Sequence, residues 1–228
     1  MSGVAIYSTF CGAQTGNKAF VVYAAVPGVP CFMYSNNRGF LDMAEARGWT
    51  PVFLPQFDPP SEDQVLSAAQ SKFAKTRPDL LPELAQFEYT WYVDTKVELD
   101  STYLDKYLAA FKATGMPIAA RRHWYLEPDV WAELEEALVQ PRYKMQEASM
   151  RAYIERRLAS PAFKPKASLY ATGLLLRHMR HPDISRINAM WEDDTKQCGT
   201  ECQLTFFFVA QTTQVFTLPF DMDKQHRN

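Results

Sequence analysis

The sequence predicts an α/β domain with a mixed, mostly parallel sheet flanked by helices. Three observations carry this. Short runs rich in β-branched and aromatic residues alternate with stretches of helical period, the pattern of strands joined by crossover helices. Gly, Pro and Asn/Asp clusters punctuate the runs. Several runs stop on polar or charged residues, as strands do at the carboxyl edge of an open α/β sheet, where ligands bind.

The elements follow in order. Val4 to Phe10 is a first strand, and the polar loop CGAQTGNK comes after it. Phe20 to Ala25 is a second apolar run, broken by the turn Pro27-Gly28-Val29-Pro30. Cys31 to Tyr34 is a short strand ending in Ser35-Asn36-Asn37, whose amides serve either a turn or a ligand. Asp42 to Arg47 forms a short helix closed by Gly48, and Thr50 to Leu54 is a strand. After the proline-rich loop from Pro55 to Pro60, Ser61-Glu62-Asp63-Gln64 opens a helix with Val65, Leu66, Ala69 and Phe73 on one face. Its distal end carries Lys72, Lys75 and Arg77, and Pro78 discourages continuation.

Thr90 to Val93 is the next strand, and it stops on Asp94 and Lys96. Ser101 to Ala113 is a helix, because Leu104, Tyr107, Leu108 and Phe111 fall at helical spacing. Pro117 to Ala120 is a strand running into Arg121-Arg122-His123. Val130, Leu134 and Leu138 mark a helix begun by Pro128-Asp129, and Arg142 to Leu158 reads as one longer amphipathic helix. Ser168 to Leu176 is a strand with a bulge signal at Gly173, exiting into Arg177-His178. Helices follow at Asp183 to Trp191 and from Thr200 onward, and the tail from about Thr217 reads as loose. Residues 1–228 read as a single domain.

Composition narrows the function. The net charge is −2, with no block of like charge, which argues against a nucleic-acid partner. No run approaches the roughly 18 apolar residues of a membrane span, and the N-terminus lacks a secretory signal, so the expectation is a soluble, cytoplasmic protein. The four cysteines, Cys11, Cys31, Cys198 and Cys202, form no CxxC and are expected as thiols without metal. The two glycines of CGAQTGNK match neither a Walker loop nor GxGxxG, so a phosphate cradle of those kinds is not expected.

The run LLPELAQFEYTWYVDTKVELD resembles the TOD/MUCI-type glycosyltransferase-like family, once catalogued as a domain of unknown function. That family sets an aromatic strand before D-x-K-x-x-L, here Asp94-Thr95-Lys96-Val97-Glu98-Leu99. Gly48-Trp49, His123, Tyr143, ATGLLLRH, MWEDD and CGTECQLTFF resemble further family segments in the same order, from about Ser35 to Phe208. The resemblance implies a GT-A-like fold and transfer of a hexose from a nucleotide-sugar donor to a glycan or other hydroxyl acceptor, as in polysaccharide biosynthesis. Two departures stand out. The family's acid before Gln is Cys202 here, and D-x-K replaces the D-x-D common among metal-dependent GT-A enzymes.

Such a transfer needs charge to meet the departing diphosphate, supplied by Mn2+ or Mg2+ or by Lys and Arg. An inverting enzyme also needs a base for the acceptor's proton. Asp94 is the candidate for the metal or the donor, with His178 as a second metal ligand. Thr9, Asn36, Lys72, Lys75, Arg77, Lys96, Arg121, His123 and Gln203 are candidates to contact the nucleotide sugar. Glu201 is the candidate sugar-orienting carboxylate, with Asp193 or Asp194 as reserve bases. Thr200 to Gln203 also fits a capping box, which would assign Thr200 and Gln203 to helix initiation. A binding protein that has lost catalysis remains the alternative. A nucleotidyltransferase would need a Gly-rich basic loop, of which CGAQTGNK is a thin version.

Overall fold

The computed structural model describes residues 3–13, 22–99, 104–123, 129–161, 163 and 168–218. The sheet strands are β1 (Val4–Phe10), β2 (Cys31–Ser35), β3 (Thr50–Phe53), β4 (Tyr89–Val93), β5 (Ile118–Arg122), β6 (Tyr170–His178) and β7 (Val215–Leu218). They lie in the order β3-β2-β1-β4-β6-β5-β7. β1, β2, β3 and β4 run parallel, with Ile6 beside Cys31 and Trp91. β6 runs antiparallel to both neighbours, and β7 pairs parallel with β5.

The α-helices are α1 (Arg38–Glu45), α2 (Gln64–Thr76), α3 (Leu104–Thr114), α4 (Val130–Ala137), α5 (Pro141–Lys144), α6 (Glu147–Leu158), α7 (Ile184–Cys198) and α8 (Cys202–Ala210). Strand alternation sorts the core into two layers. Val4, Ile6, Trp91 and Val93 pack with α1 and α3 on one face of the sheet. Ala5, Tyr7 and Tyr92 pack with α2, α7 and α8 on the other. α8 is buried at every position but Gln203, because it lies between that second face and a satellite core built with α4 and α6.

Several local expectations change. The first helix begins at Arg38 rather than Asp42, because the Asn37 side chain caps it by accepting from Phe40 N. α2 is capped by Asp63, which accepts from Val65 N and Leu66 N. The helix expected from Arg142 to Leu158 is broken between α5 and α6. At the break, the Gln146 amide pairs with Thr200, donating to Oγ1 at 2.8 Å and accepting from N at 3.0 Å. Gly199 permits that approach: its φ is +132°, and a Cβ there would lie 2.8 Å from Gln146 Oε1. The tail is not loose from Thr217, since Thr217 and Leu218 complete β7. Part of the third helix predicted from Ser101 lies outside the described residues, as do Pro128 and Phe20.

A buried polar network ties the second layer to the sheet. Arg177, on β6, is fully buried. It donates to Tyr7 Oη at 2.8 Å, to Asn188 Oδ1 at 3.1 Å and to the Lys75 carbonyl at 2.7 Å. One guanidinium thus links β1, β6, α2 and α7. Replacing it strands three buried partners, so Arg177→Leu is expected to destabilise the protein by about 2–4 kcal/mol in urea unfolding. A loss below about 0.5 kcal/mol, the scale of an ordinary surface substitution, would show that the network contributes nothing.

Candidate active site

The strand order reverses between β1 and β4, and open α/β sheets bind ligands at such a point, beyond the strands' carboxyl ends. Asp94 stands there, just after β4. Its backbone N donates to the Gly173 carbonyl at 2.8 Å, which fixes it against β6. Gly173 also lets the carboxylate approach, since a Cβ there would lie 3.2 Å from Asp94 Oδ2. Gly173 falls within the stretch of β6 that has no partner on β5, where the pairing jumps from Ala120–Leu175 to Arg121–Ala171.

Asp94 is not presented free at the sheet edge. Its Oδ1 accepts from Tyr92 Oη at 2.5 Å and lies 3.4 Å from Lys75 Nζ. Lys75 is buried at 2% exposure and also sits over the Tyr92 ring, 4.8 Å from its centroid. Burial pushes the Asp94 carboxyl up, but Lys75, Lys72 and Lys96 outweigh it and hold the carboxyl well below the usual range. For Lys75, burial opposes the charge, yet Asp94 and its other neighbours raise the ammonium above its ordinary value.

Two chambers meet at this point. The first, about 480 Å³, opens between the end of β1 and α2. Thr9 and the hydroxyls of Ser61, Ser67 and Ser71 line it. The second, about 370 Å³, lies between β5, β6, α4 and the start of α8, and Arg121, His123, Glu133 and Glu201 line it. Lys72, Asp94, Lys96, Gln140 and Arg142 line both. Each chamber falls within the roughly 300–1,000 Å³ typical of small-molecule sites. Two donor groups facing this cleft, Thr9 Oγ1 and Arg142 Nε, are buried without a hydrogen-bond partner among the described residues. Such atoms are rare unless a ligand or water completes them.

The other sequence candidates divide. Lys72, Lys96, Arg121, His123, Glu201 and Gln203 line the cleft. Lys75 lines only the second chamber, where its ammonium is committed to Asp94. Asn36 is 1% exposed and acts as a brace: its Oδ1 accepts from Gly12 N at 2.9 Å, and its Nδ2 donates to the Phe57 carbonyl at 2.8 Å. Arg77 faces away, paired with Asp79 at 3.1 Å and Glu192 at 3.0 Å. Asp194 is buried between α7 and α6, held by Arg157 at 2.7 Å, Asp193 is exposed, and neither lines the cleft. His178 lies at the opposite sheet edge because β6 is antiparallel: it pairs with Tyr89 at the start of β4, stacks on that ring and sits 3.5 Å from Glu88 Oε1.

The start of α8 also differs from the capping box. Glu201 is the N-cap, accepting from Gln203 N at 2.9 Å. Gln203 instead crosses the chamber, accepting from Thr172 N at 3.1 Å and donating to Glu133. Cys202 Sγ lies 3.3 Å from Thr172 Oγ1, and all four cysteines are free thiols. Tyr92, Glu133, Arg142 and Gly173 are site residues that the sequence reading did not select. Tyr92 was accessible to it, because residues two apart on a strand share a face and Tyr92 precedes Asp94 by two.

The charge around Asp94 opposes Mn2+ or Mg2+. In nucleotide sites Mg2+ is held by one or two carboxylates together with substrate phosphates and water. Among the described residues, no group of three or more His, Cys, Asp and Glu is placed to hold a metal ion. Asp94 already faces three lysines, and His178 is at the far edge.

Comparison with known proteins is consistent with this geometry. No protein-family model matches the sequence, and no curated protein sequence does. Among solved structures, mouse xyloside xylosyltransferase 1 superposes with a TM-score of 0.52 at 10% identity, over 94% of this chain and 84% of that one. The Mn/GDP form of core-mannan synthase A from Aspergillus fumigatus superposes with a TM-score of 0.51 at 11% identity, over 98% and 74%. The mannosyltransferase Ktr4p of S. cerevisiae gives 0.52 at 11% identity, over 97% and 69%. The chain therefore has the GT-A glycosyltransferase fold. At these identities the likeness shows the fold alone, the GT-A-like fold that the resemblance implied, and not the TOD/MUCI-type family in particular.

The Lys75–Asp94 pair gives a direct test. Asp94→Asn leaves a buried ammonium without its counter-charge and is expected to cost about 3 kcal/mol at pH 7, toward the lower end for a broken buried pair because Asp94 is partly exposed. The pH dependence has a definite sign. The folded carboxyl lies below its unfolded value of about 4, so its contribution is present above that pH and is lost as pH falls further. Urea unfolding between pH 2 and 7 should therefore show a smaller acid loss in the variant than in the wild type. Parallel curves would remove the pair from the stability of the fold.

Proposed function

We propose that this protein is a nucleotide-sugar-dependent glycosyltransferase, moving a hexose to a glycan or other hydroxyl acceptor. One observation carries the reading: two chambers of ligand size meet at the sheet's switch point, and Lys72, Lys96 and Arg142 line both. A donor has the same bipartite form, a nucleoside joined to a sugar through a charged diphosphate.

In this reading the first chamber takes the nucleoside, with Thr9 Oγ1 offering it a hydrogen bond. The diphosphate lies at the junction, beside Lys72, Lys96 and Arg142. These cations meet the charge that grows on the diphosphate as the glycosidic bond breaks, through charge-assisted hydrogen bonds. Asp94 keeps the lysines in register and faces the sugar. The sugar extends into the second chamber, whose lining includes Glu201 and Gln203. The lysines around Asp94 supply the positive charge that a metal would otherwise bring to the diphosphate. That the Aspergillus neighbour is a Mn/GDP form describes that protein.

Cys202, at the resembling family's acid position, favours a second reading, in which the cleft binds a nucleotide sugar without transferring it. Turnover separates the two.

Calorimetric titration with UDP and GDP in EDTA tests the donor site. One of the two should bind without added metal. Lys72→Ala and Lys96→Ala should each weaken that nucleoside diphosphate about tenfold, about 1.4 kcal/mol, while changing affinity for the free nucleoside less than twofold. Equal losses for both ligands would assign the lysines to structure alone.

A further inference from the structure

The second chamber holds a carboxyl that the donor site does not account for. Glu133, in the first turn of α4, is 4% exposed. Its Oε2 lies 3.3 Å from His123 Nε2, and its Oε1 accepts from Gln203 Nε2. Gln203 is fixed in turn by Thr172 N at 3.1 Å. A carboxyl, an imidazole and an amide thus converge from α4, the end of β5 and α8. Each is a group that a fold seldom buries for stability, since burial of polar groups is costly unless every one is satisfied. The wall they form faces the chamber that Asp94 and Lys96 also line.

We propose that the second chamber holds the acceptor beside the donor sugar and that Glu133 takes the proton of the acceptor hydroxyl as its oxygen attacks the anomeric carbon of that sugar. This rests on the donor reading given above. The bond formed joins the anomeric carbon to the acceptor oxygen. The bond broken joins that carbon to the distal phosphate oxygen, which keeps the electron pair and is met by Lys72, Lys96 and Arg142. The proton goes to a Glu133 carboxylate oxygen. A single displacement of this kind inverts the anomeric centre.

The surroundings suit a base that works near neutral pH. Burial pushes the Glu133 carboxyl up to about 8 and Glu201 adds to the rise, while the hydrogen bond from Gln203 and the charge of Lys96 oppose it. His123 does not offset the carboxylate charge, because burial, with Arg121 beside it, holds the imidazole down at about 4 and so neutral. Tyr143, from α5, also faces the chamber and stays protonated, its phenol pushed well up by burial and by Glu201. Glu133 acts as a base only when ionised. Turnover therefore rises about tenfold per pH unit and levels off near pH 8.

Glu133→Gln keeps the shape, an acceptor for Gln203 and a donor toward His123. The experiment measures UDP and GDP release from UDP-glucose, UDP-galactose and GDP-mannose, with methyl glucoside, galactoside and mannoside as acceptor probes, between pH 6 and 9. Calorimetry of UDP and GDP runs beside it. The variant should bind nucleoside diphosphate within about twofold of wild type, release it at least about a hundredfold more slowly, and lose the limb that ends near pH 8. Glu133→Asp should retain that limb at a reduced rate. Three outcomes overturn the proposal: a variant within threefold of wild type, an unchanged limb, or a wild type that binds nucleoside diphosphate yet releases none. A wild type that binds neither UDP nor GDP fails earlier, at the donor site, and the acceptor subsite falls with it.

Discussion

The contact between Lys75 and Asp94 organises the molecule. An ammonium as buried as that of Lys75 is tolerable only with a counter-charge in reach. Asp94 supplies it at 3.4 Å, and Tyr92 closes the triangle with its hydroxyl on the same carboxylate oxygen. The Lys75 backbone is held as firmly as its side chain, because its carbonyl accepts from the buried Arg177. The pair therefore sets the end of α2 against the end of β4, and Arg177 carries that constraint to β1 and α7 through Tyr7 and Asn188. The cleft follows from this. With Asp94 paired to Lys75, Lys72 and Lys96 bring two further positive charges to the junction, both near enough to help hold the Asp94 carboxyl down.

The reversed strand supplies the other half of the site. Because β6 runs antiparallel, it brings its N-terminal residues, Thr172 and Gly173, to the edge where the parallel strands end. Gly173 lets the Asp94 carboxylate lie against the strand, and Thr172 N holds Gln203 across the second chamber. The same reversal carries His178 to the far edge. A metal site drawn from Asp94 and His178 is thereby ruled out by topology, whatever the chemistry of the residues.

The layered fold was legible where local pattern and tertiary environment agree. Val4–Phe10 opens on four apolar residues in a row and is buried throughout because both faces of β1 are covered, and the spacing of Leu104, Tyr107, Leu108 and Phe111 faces one layer. The strand ending on Asp94 was legible too. What it contacts was not, since Lys75 reads locally as a helix-end cation and the sequence does not reveal that it is buried. The break between α5 and α6 was hidden for a similar reason: Gln146 is held by Thr200, 54 residues away. β7 escaped notice because it is four residues long and mostly half-exposed at a sheet edge. Glu133 carries no local signal at all, as one acidic residue among several on an amphipathic helix, and only the packing of α4 against His123 and Gln203 gives it a role.

The central claim is that lysines anchored by Asp94, rather than a divalent cation, receive the donor's diphosphate. A crystal structure of the protein with bound UDP or GDP, grown in Mn2+ and recorded at a wavelength where manganese scatters anomalously, tests this most directly. The account predicts diphosphate oxygens within hydrogen-bond distance of Lys72 and Lys96 Nζ, the Lys75–Asp94 contact intact, and no anomalous peak between Asp94 and the phosphates. A manganese ion bridging the Asp94 carboxylate and the diphosphate, with Lys75 displaced, would contradict it.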